Sequence, residues 1–205
     1  MSRVPHTVRI IAGRWRGRRI GFPADPAIRP TPDRVRETLF NWLREEVAGA
    51  RCLDLFAGSG ALGLEALSRG ARQCTFVDAS AAAAAAIRDN LEILDGAGEV
   101  IEADVERWLR ESGRGASGLG PSRAFDLVFL DPPYGQGRVP RVLALLAAGN
   151  WLSERAFVYV ESERSAGEPV LPPGWSLFRS KFAGEVGYHL ARPGVPGRSH
   201  SPSTE

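Results

Sequence analysis

Leu53-Asp54-Leu55-Phe56-Ala57-Gly58-Ser59-Gly60-Ala61-Leu62-Gly63 decides the fold. A short apolar run meets a glycine turn and passes into the start of a helix. Gly58, Gly60 and Gly63 satisfy G-x-G-x-x-G, and Asp78 ends the next apolar run 20 residues after Gly58. In a strand-turn-helix unit the glycines let backbone approach a nucleoside, while the acid accepts hydrogen bonds from ribose hydroxyls. A nicotinamide dinucleotide and S-adenosylmethionine both need these features. Asp54 helps to separate them, because a carboxylate in the first strand is unwelcome beside a pyrophosphate and favourable beside an ammonium and a sulfonium. It also reads as a strand acid satisfied by nearby amides.

Outward from this unit the chain alternates strand and helix. Strands are expected near 51–56, 73–78, 98–102, 124–130 and 155–161, with helices near 61–69, 80–94, 104–111 and 138–148. Repeated βα units imply a doubly wound, mainly parallel sheet covered on both faces. Trp175 to Phe182 and Val186 to Ala191 have only Ala183-Gly184-Glu185 between them, too little for a crossover helix. They form an antiparallel hairpin at the sheet edge, which makes seven strands in all. Asp104 follows the third strand at the carboxyl edge of the sheet. It is placed to accept from an adenine amine, or to cap the helix that follows, or both.

The second informative stretch is Asp131-Pro132-Pro133-Tyr134, after the apolar run Phe125 to Leu130. Two prolines remove backbone donors and hold the chain extended as it leaves the sheet. Free carbonyls, a carboxylate and an aromatic ring then stand together, which suits an exocyclic amine on a stacked nucleobase. On its own, the stretch also reads as a Pro-Pro turn that ends a strand.

Before residue 51 the composition changes. Residues 1–36 hold nine arginines against two acids, a balance of +7 in a chain whose total is +2. Within them Val8 to Ile20 alternates β-branched residues with arginine around Gly13 and Gly17, giving a small basic hairpin. This asymmetry suits a polyanion. Thr31 is expected to cap a helix, with Pro32 at its first position, Asp33 in its first turn, and Val35, Leu39, Leu43 and Val47 as its buried stripe. The domain reading is a basic arm at 1–28, a catalytic domain at 29–192 and a disordered tail at 193–205. The glycine-rich segment 112–122 is expected to be a flexible loop. Two isolated cysteines and three scattered histidines make no metal site. No run suits a membrane span or a signal peptide, so a cytoplasmic protein is expected.

With these motifs placed, the chain resembles class I methyltransferases acting on exocyclic base amines, and most closely the bacterial RsmD family. That family methylates guanine N2 in 16S ribosomal RNA. The markers are Arg29-Pro30-Thr31 with Asp33 to Asn41, then Asp54 to Gly60, Asp131 to Tyr134 and the Gly13 to Gly17 arm. The resemblance implies S-adenosylmethionine held by Arg29, Thr31, Asp54, Phe56, Ala57, Gly58, Ser59, Gly60, Asp78 and Asp104. Asp131, Pro132, Pro133 and Tyr134 would serve the target guanine, and Arg9, Arg14, Arg16, Arg18 and Arg19 the RNA. It further implies a monomer acting on 16S ribosomal RNA in a partly or fully assembled small subunit. An adenine-N6 methyltransferase uses the same turn. A dehydrogenase would explain only the glycines, and a non-catalytic RNA-binding module only the arm.

Overall fold

The computed structural model describes residues 6–25, 28, 30–114 and 124–194. The chain opens with β1 (His6–Arg9), β2 (Arg19–Phe22) and α1 (Asp33–Trp42). It then alternates β3 (Arg51–Leu55), α2 (Ala61–Ser68), β4 (Gln73–Asp78), α3 (Ala81–Leu94), β5 (Gly98–Glu102), α4 (Val105–Arg114), β6 (Phe125–Leu130), α5 (Arg138–Ala148) and β7 (Leu152–Glu163). Two further strands, β8 (Ser176–Ala183) and β9 (Val186–Arg192), complete it. Among the described residues no helix is long and apolar enough to cross a membrane. Much of segment 112–122, and the tail from 195 on, lie outside the described residues.

Seven strands form one sheet in the order β5-β4-β3-β6-β7-β9-β8. From β3 the chain winds through β4 and β5 toward one edge, and β6 and β7 wind toward the other. The winding reverses between β3 and β6, where doubly wound sheets open a ligand crevice at their carboxyl ends. β9 and β8 run antiparallel beyond β7, joined through Gly184 at φ +59°. β7 is longer than the expected 155–161. A register shift lets Leu152 pair with Phe125 at one end, and β9 carries the pairing to Glu163 at the other.

Side chains alternate between two cores. One face packs Cys52, Phe76, Phe129 and Tyr159 against α1, α2, α3 and the N-terminal hairpin. The other packs Leu53, Leu55, Val128 and Val160 against α4 and α5. Val35, Leu39, Leu43 and Val47 are all buried, but α1 ends at Trp42, so only the first two lie on the helix and the other two are buried from the turns that follow it. Thr31 does not cap α1. Pro32 occupies the cap position and no side chain caps the helix; the Thr31 hydroxyl is committed to a distant acid described below.

The basic hairpin is anchored on this body. Ile10, Trp15, Ile20 and Phe22 are buried, the first three in the α1–α3 core. Burial of that kind stabilises by roughly 1.5–3 kcal/mol for each aliphatic or Phe side chain. Gly13 (φ +82°) lies so near α2 that a Cβ there would overlap the Ser68 carbonyl. That carbonyl accepts the Arg14 N–H, and the Trp15 N–H donates to the Ser68 hydroxyl. Glu65 takes the Ile11 and Ala12 N–H groups at 2.8 and 3.0 Å, and Asn90 bridges both polar groups of Gly21. The segment between β1 and β2 is thus a wide loop shaped by its seat on α2.

Candidate active site

The glycine turn is built for close approach. Gly58 and Gly60 hold φ of +51° and +72°, in the left-handed region where only glycine is unstrained. Phe56 also sits there, at φ 58°, a conformation that costs a non-glycine residue on the order of 1 kcal/mol or more. Such strain persists where the surroundings enforce it, here between the end of β3 and the turn. Gly63 serves packing, since a Cβ there would overlap the Phe76 ring.

Acids surround the turn. Asp54 is buried and accepts the Gly63 N–H at 2.9 Å, so the amide-satisfied reading of this acid holds in part. Burial pushes its carboxyl up to about 8 despite that hydrogen bond. Asp78, ending β4, accepts the Gly58 N–H on one oxygen and the Ser80 N–H on the other, both at 2.8 Å. Each oxygen keeps a second lone pair for a ligand hydroxyl. Ser59 is buried, and its hydroxyl oxygen accepts the Ala61 N–H; Ala57 is buried beside it.

β3 and β6 pair Leu55 with Leu130, so Phe56 and Asp131 are the next residues along neighbouring strands. The Asp-Pro-Pro-Tyr turn therefore leaves the sheet directly beside the glycine turn, across the point where the winding reverses. Pro132 is buried, Pro133 is exposed, and Tyr134 presents 44% of its surface. Gly135 and Gly137, both at positive φ, carry the chain round to α5. Burial, then Glu161, then Asp54 hold the Asp131 carboxyl well above the usual carboxylate range.

Glu161 is not among the expected site residues. β6 and β7 pair Leu130 with Val160, which makes Glu161 the neighbour of Asp131 at the carboxyl edge. It is 2% exposed, and its Oε1 accepts hydrogen bonds from the Thr31 hydroxyl at 2.7 Å and the Tyr159 hydroxyl at 2.8 Å. An acid following the apolar run Ala156 to Val160 is a signal present in the sequence.

Asp104 caps α4, accepting the Arg107 N–H on Oδ1, and its Oδ2 meets Arg138 at 3.3 Å. The Arg107 hydrogen bond is the main cause that holds its carboxyl below the ordinary value. Arg138 also lies over the Phe56 ring at 5.5 Å. Arg29 lies outside the described residues. Arg9, Arg14, Arg16, Arg18 and Arg19 are all exposed on the hairpin, with Arg14 stacked on Trp15 at 4.2 Å and Arg9 facing Asp33 at 3.8 Å.

Asp54, Asp78, Asp131 and Glu161 thus gather at one edge, and among the described residues none forms an ion pair with an arginine or lysine. Four acids without a cation, beside a glycine turn, fit a ligand that carries positive charge and a nucleoside.

Comparison with known proteins agrees. The family described as conserved hypothetical protein 95 matches residues 8–192. The chain is 43% identical over 193 residues to ribosomal RNA small subunit methyltransferase D of Escherichia coli K12, covering 94% of this chain and 93% of that protein. Its counterpart of the same name in Haemophilus influenzae is 41% identical over 187 residues, covering 89% of this chain and 92% of that protein. Among solved structures, one described as a methyltransferase, yhhF from Escherichia coli, superposes with a TM-score of 0.82 at 41% identity, covering 92% of this chain and 99% of that one.

Proposed function

The chain belongs to the RsmD family, and from that premise we propose that it methylates the exocyclic N2 amine of one guanine in small-subunit (16S) ribosomal RNA. The methyl donor is S-adenosylmethionine, which supplies an electrophilic methyl group on a sulfonium. Gly58, Gly60, Phe56, Ala57 and Ser59 form its cradle, with Asp78 on the ribose and Asp104 on the adenine. Asp54 and Thr31 stand on the charged methionine side, and the role assigned to Arg29 rests on the resemblance alone. The observation that carries the reading is the Asp-Pro-Pro-Tyr turn leaving β6 beside the glycine turn of β3.

An exocyclic amine is a poor nucleophile because its lone pair is delocalised into the ring. Hydrogen bonds from the amine to Asp131 and to the Pro132 carbonyl favour a pyramidal nitrogen and aim its lone pair. Tyr134 stacks the base, an interaction worth ~1–3 kcal/mol, and so fixes the line of attack. The guanine must be unpaired or flipped out to reach this turn. Asp131 accepts the proton that the amine sheds. We place the reaction in the cytoplasm, on RNA in a partly or fully assembled small subunit, with the enzyme as a monomer.

The test is labelled methyl transfer onto naked 16S RNA and onto partly assembled subunits, followed by digestion to nucleosides. N2-methylguanosine is expected; N6-methyladenosine would replace the guanine assignment with the adenine one.

The arginines carry a separate prediction. Removing the hairpin would strip buried Ile10, Trp15 and Ile20 from the core, so charge is the property to change. Exchanging Arg14, Arg16, Arg18 and Arg19 for glutamine should weaken RNA binding and leave cofactor affinity intact. The slope of log affinity against log salt should shrink by about 0.7 for each phosphate that is no longer neutralised. A slope that stays at the wild-type value in a salt series would remove the hairpin from the RNA interface.

A further inference from the structure

Glu161 has no part in the reaction as set out above, yet nothing in the fold accounts for an acid at that place. It is 2% exposed on a central strand, and among the described residues no arginine or lysine pairs with it. A buried charge of that kind is costly unless something compensates it. Two hydroxyls converge on its Oε1, from Tyr159 on its own strand and from Thr31 on the segment that leads into α1. Ile28, on the same segment, lies against Gly58, where a Cβ would come within 3.5 Å of its Cγ2. The segment therefore reaches from the glycine turn to the edge that carries Glu161.

Among the described residues, every titratable neighbour of the pair is an acid or a phenol. Asp131 is faced by Glu161 from β7 and by Asp54 from β3. Glu161 is faced by Asp131 and by the Tyr159 hydroxyl, and Tyr159 in turn by Tyr188 from β9. Asp54 is faced by Asp78 from β4. Two carboxyls at adjacent places on neighbouring strands, Glu161 buried and Asp131 partly exposed, do not ionise independently. The first proton to leave raises the energy of losing the second.

Building on the proposed reaction, we propose that Glu161 is a positioning residue: held by the Thr31 and Tyr159 hydroxyls, it shares one proton with Asp131. The pair then presents a single negative charge to the target amine. One ionised oxygen accepts a hydrogen bond from the amine before transfer. The methylated nitrogen, which has taken over the positive charge, then gives up one N–H proton to the pair. The pair goes from one proton to two and charge is conserved.

The experiment is a titration of the side-chain carboxyls by carbon-13 NMR, on the wild-type chain and on Glu161→Gln. Glutamine keeps an oxygen for the two hydroxyls and removes only the charge. In the wild type, Asp131 and Glu161 should titrate in two linked steps, each visible at both residues. In Glu161→Gln, Asp131 should titrate in one step, about 1 pH unit or more below the pair's upper step, the scale of a close like-charge effect. An Asp131 midpoint that does not move overturns the proposal. If the variant does not fold, independent single-step curves in the wild type overturn it as well. With RNA as substrate, the wild-type kcat profile should carry both steps of the pair, and the Glu161→Gln profile only one. A purely structural glutamate would lower kcat at every pH and leave the shape of the profile unchanged. A wild-type chain that methylates no small-subunit RNA overturns the functional reading, and the shared proton is then judged by the titration alone.

Discussion

Replacing Asp131 with alanine should slow methyl transfer by ~10²–10⁴-fold, the usual scale of an acid–base or positioning contribution. Cofactor affinity should change little, because the glycine turn and Asp78 stand on other strands. The folded protein should be no less stable. Burial, Glu161 and Asp54 raise this carboxyl above its ordinary value, so ionising it works against the fold. An acid raised in the folded state contributes stability below the ordinary carboxylate range and loses it as pH rises toward the folded-state value. At neutral pH the alanine variant escapes that cost. A melting temperature at or above that of the wild type, with transfer reduced a hundredfold or more, assigns the loss to chemistry. Near-normal turnover would remove Asp131 from the reaction.

What could be read from the sequence follows from how locally each feature is encoded. The glycine turn and the Asp-Pro-Pro-Tyr turn declare themselves because their conformations demand particular residues within a few positions. The doubly wound order follows from the alternation of apolar runs with helical stripes, and the edge hairpin from a linker too short to cross over. Interactions between distant parts of the chain stay hidden. Thr31 and Glu161 are 130 residues apart, and only the register of β6 on β7 brings that acid beside Asp131. Thr31 before Pro32 and Asp33 matches a capping pattern, and its hydroxyl is drawn instead to a buried carboxylate. A charge-assisted hydrogen bond is roughly twice as strong as the neutral kind.

The hairpin shows the same limit in a different way. Its arginines stand out in the sequence as charge, yet part of what attaches it to the body is Glu65, a single acid inside an apolar helix. Glu65→Ala should be the most destabilising single change in this region. Glu65 is fully buried and accepts three hydrogen bonds, from the Ile11 and Ala12 N–H groups and from Arg69 Nε at 2.7 Å, and it pairs with the Arg36 guanidinium at 3.5 Å. Arg36 is itself completely buried, and its other acid, Asp33, is about half exposed. Removing Glu65 leaves a buried guanidinium short of its partner and two backbone amides unsatisfied. Breaking a buried pair from one side costs about 3–5 kcal/mol. For a chain of this size each kcal/mol lowers the melting temperature by roughly 2–4 °C, so a fall of about 10 °C is expected. Replacing both members, with Arg36→Met beside Glu65→Leu, should recover only part of the loss. The charge is then gone, but the Ile11 and Ala12 amides still lack acceptors. Full recovery in the double variant would show that the ion pair carried the whole effect. A single variant within about 1 kcal/mol of wild type would show that the hairpin is held by its apolar packing alone, since an unsatisfied buried amide by itself costs about 1–3 kcal/mol.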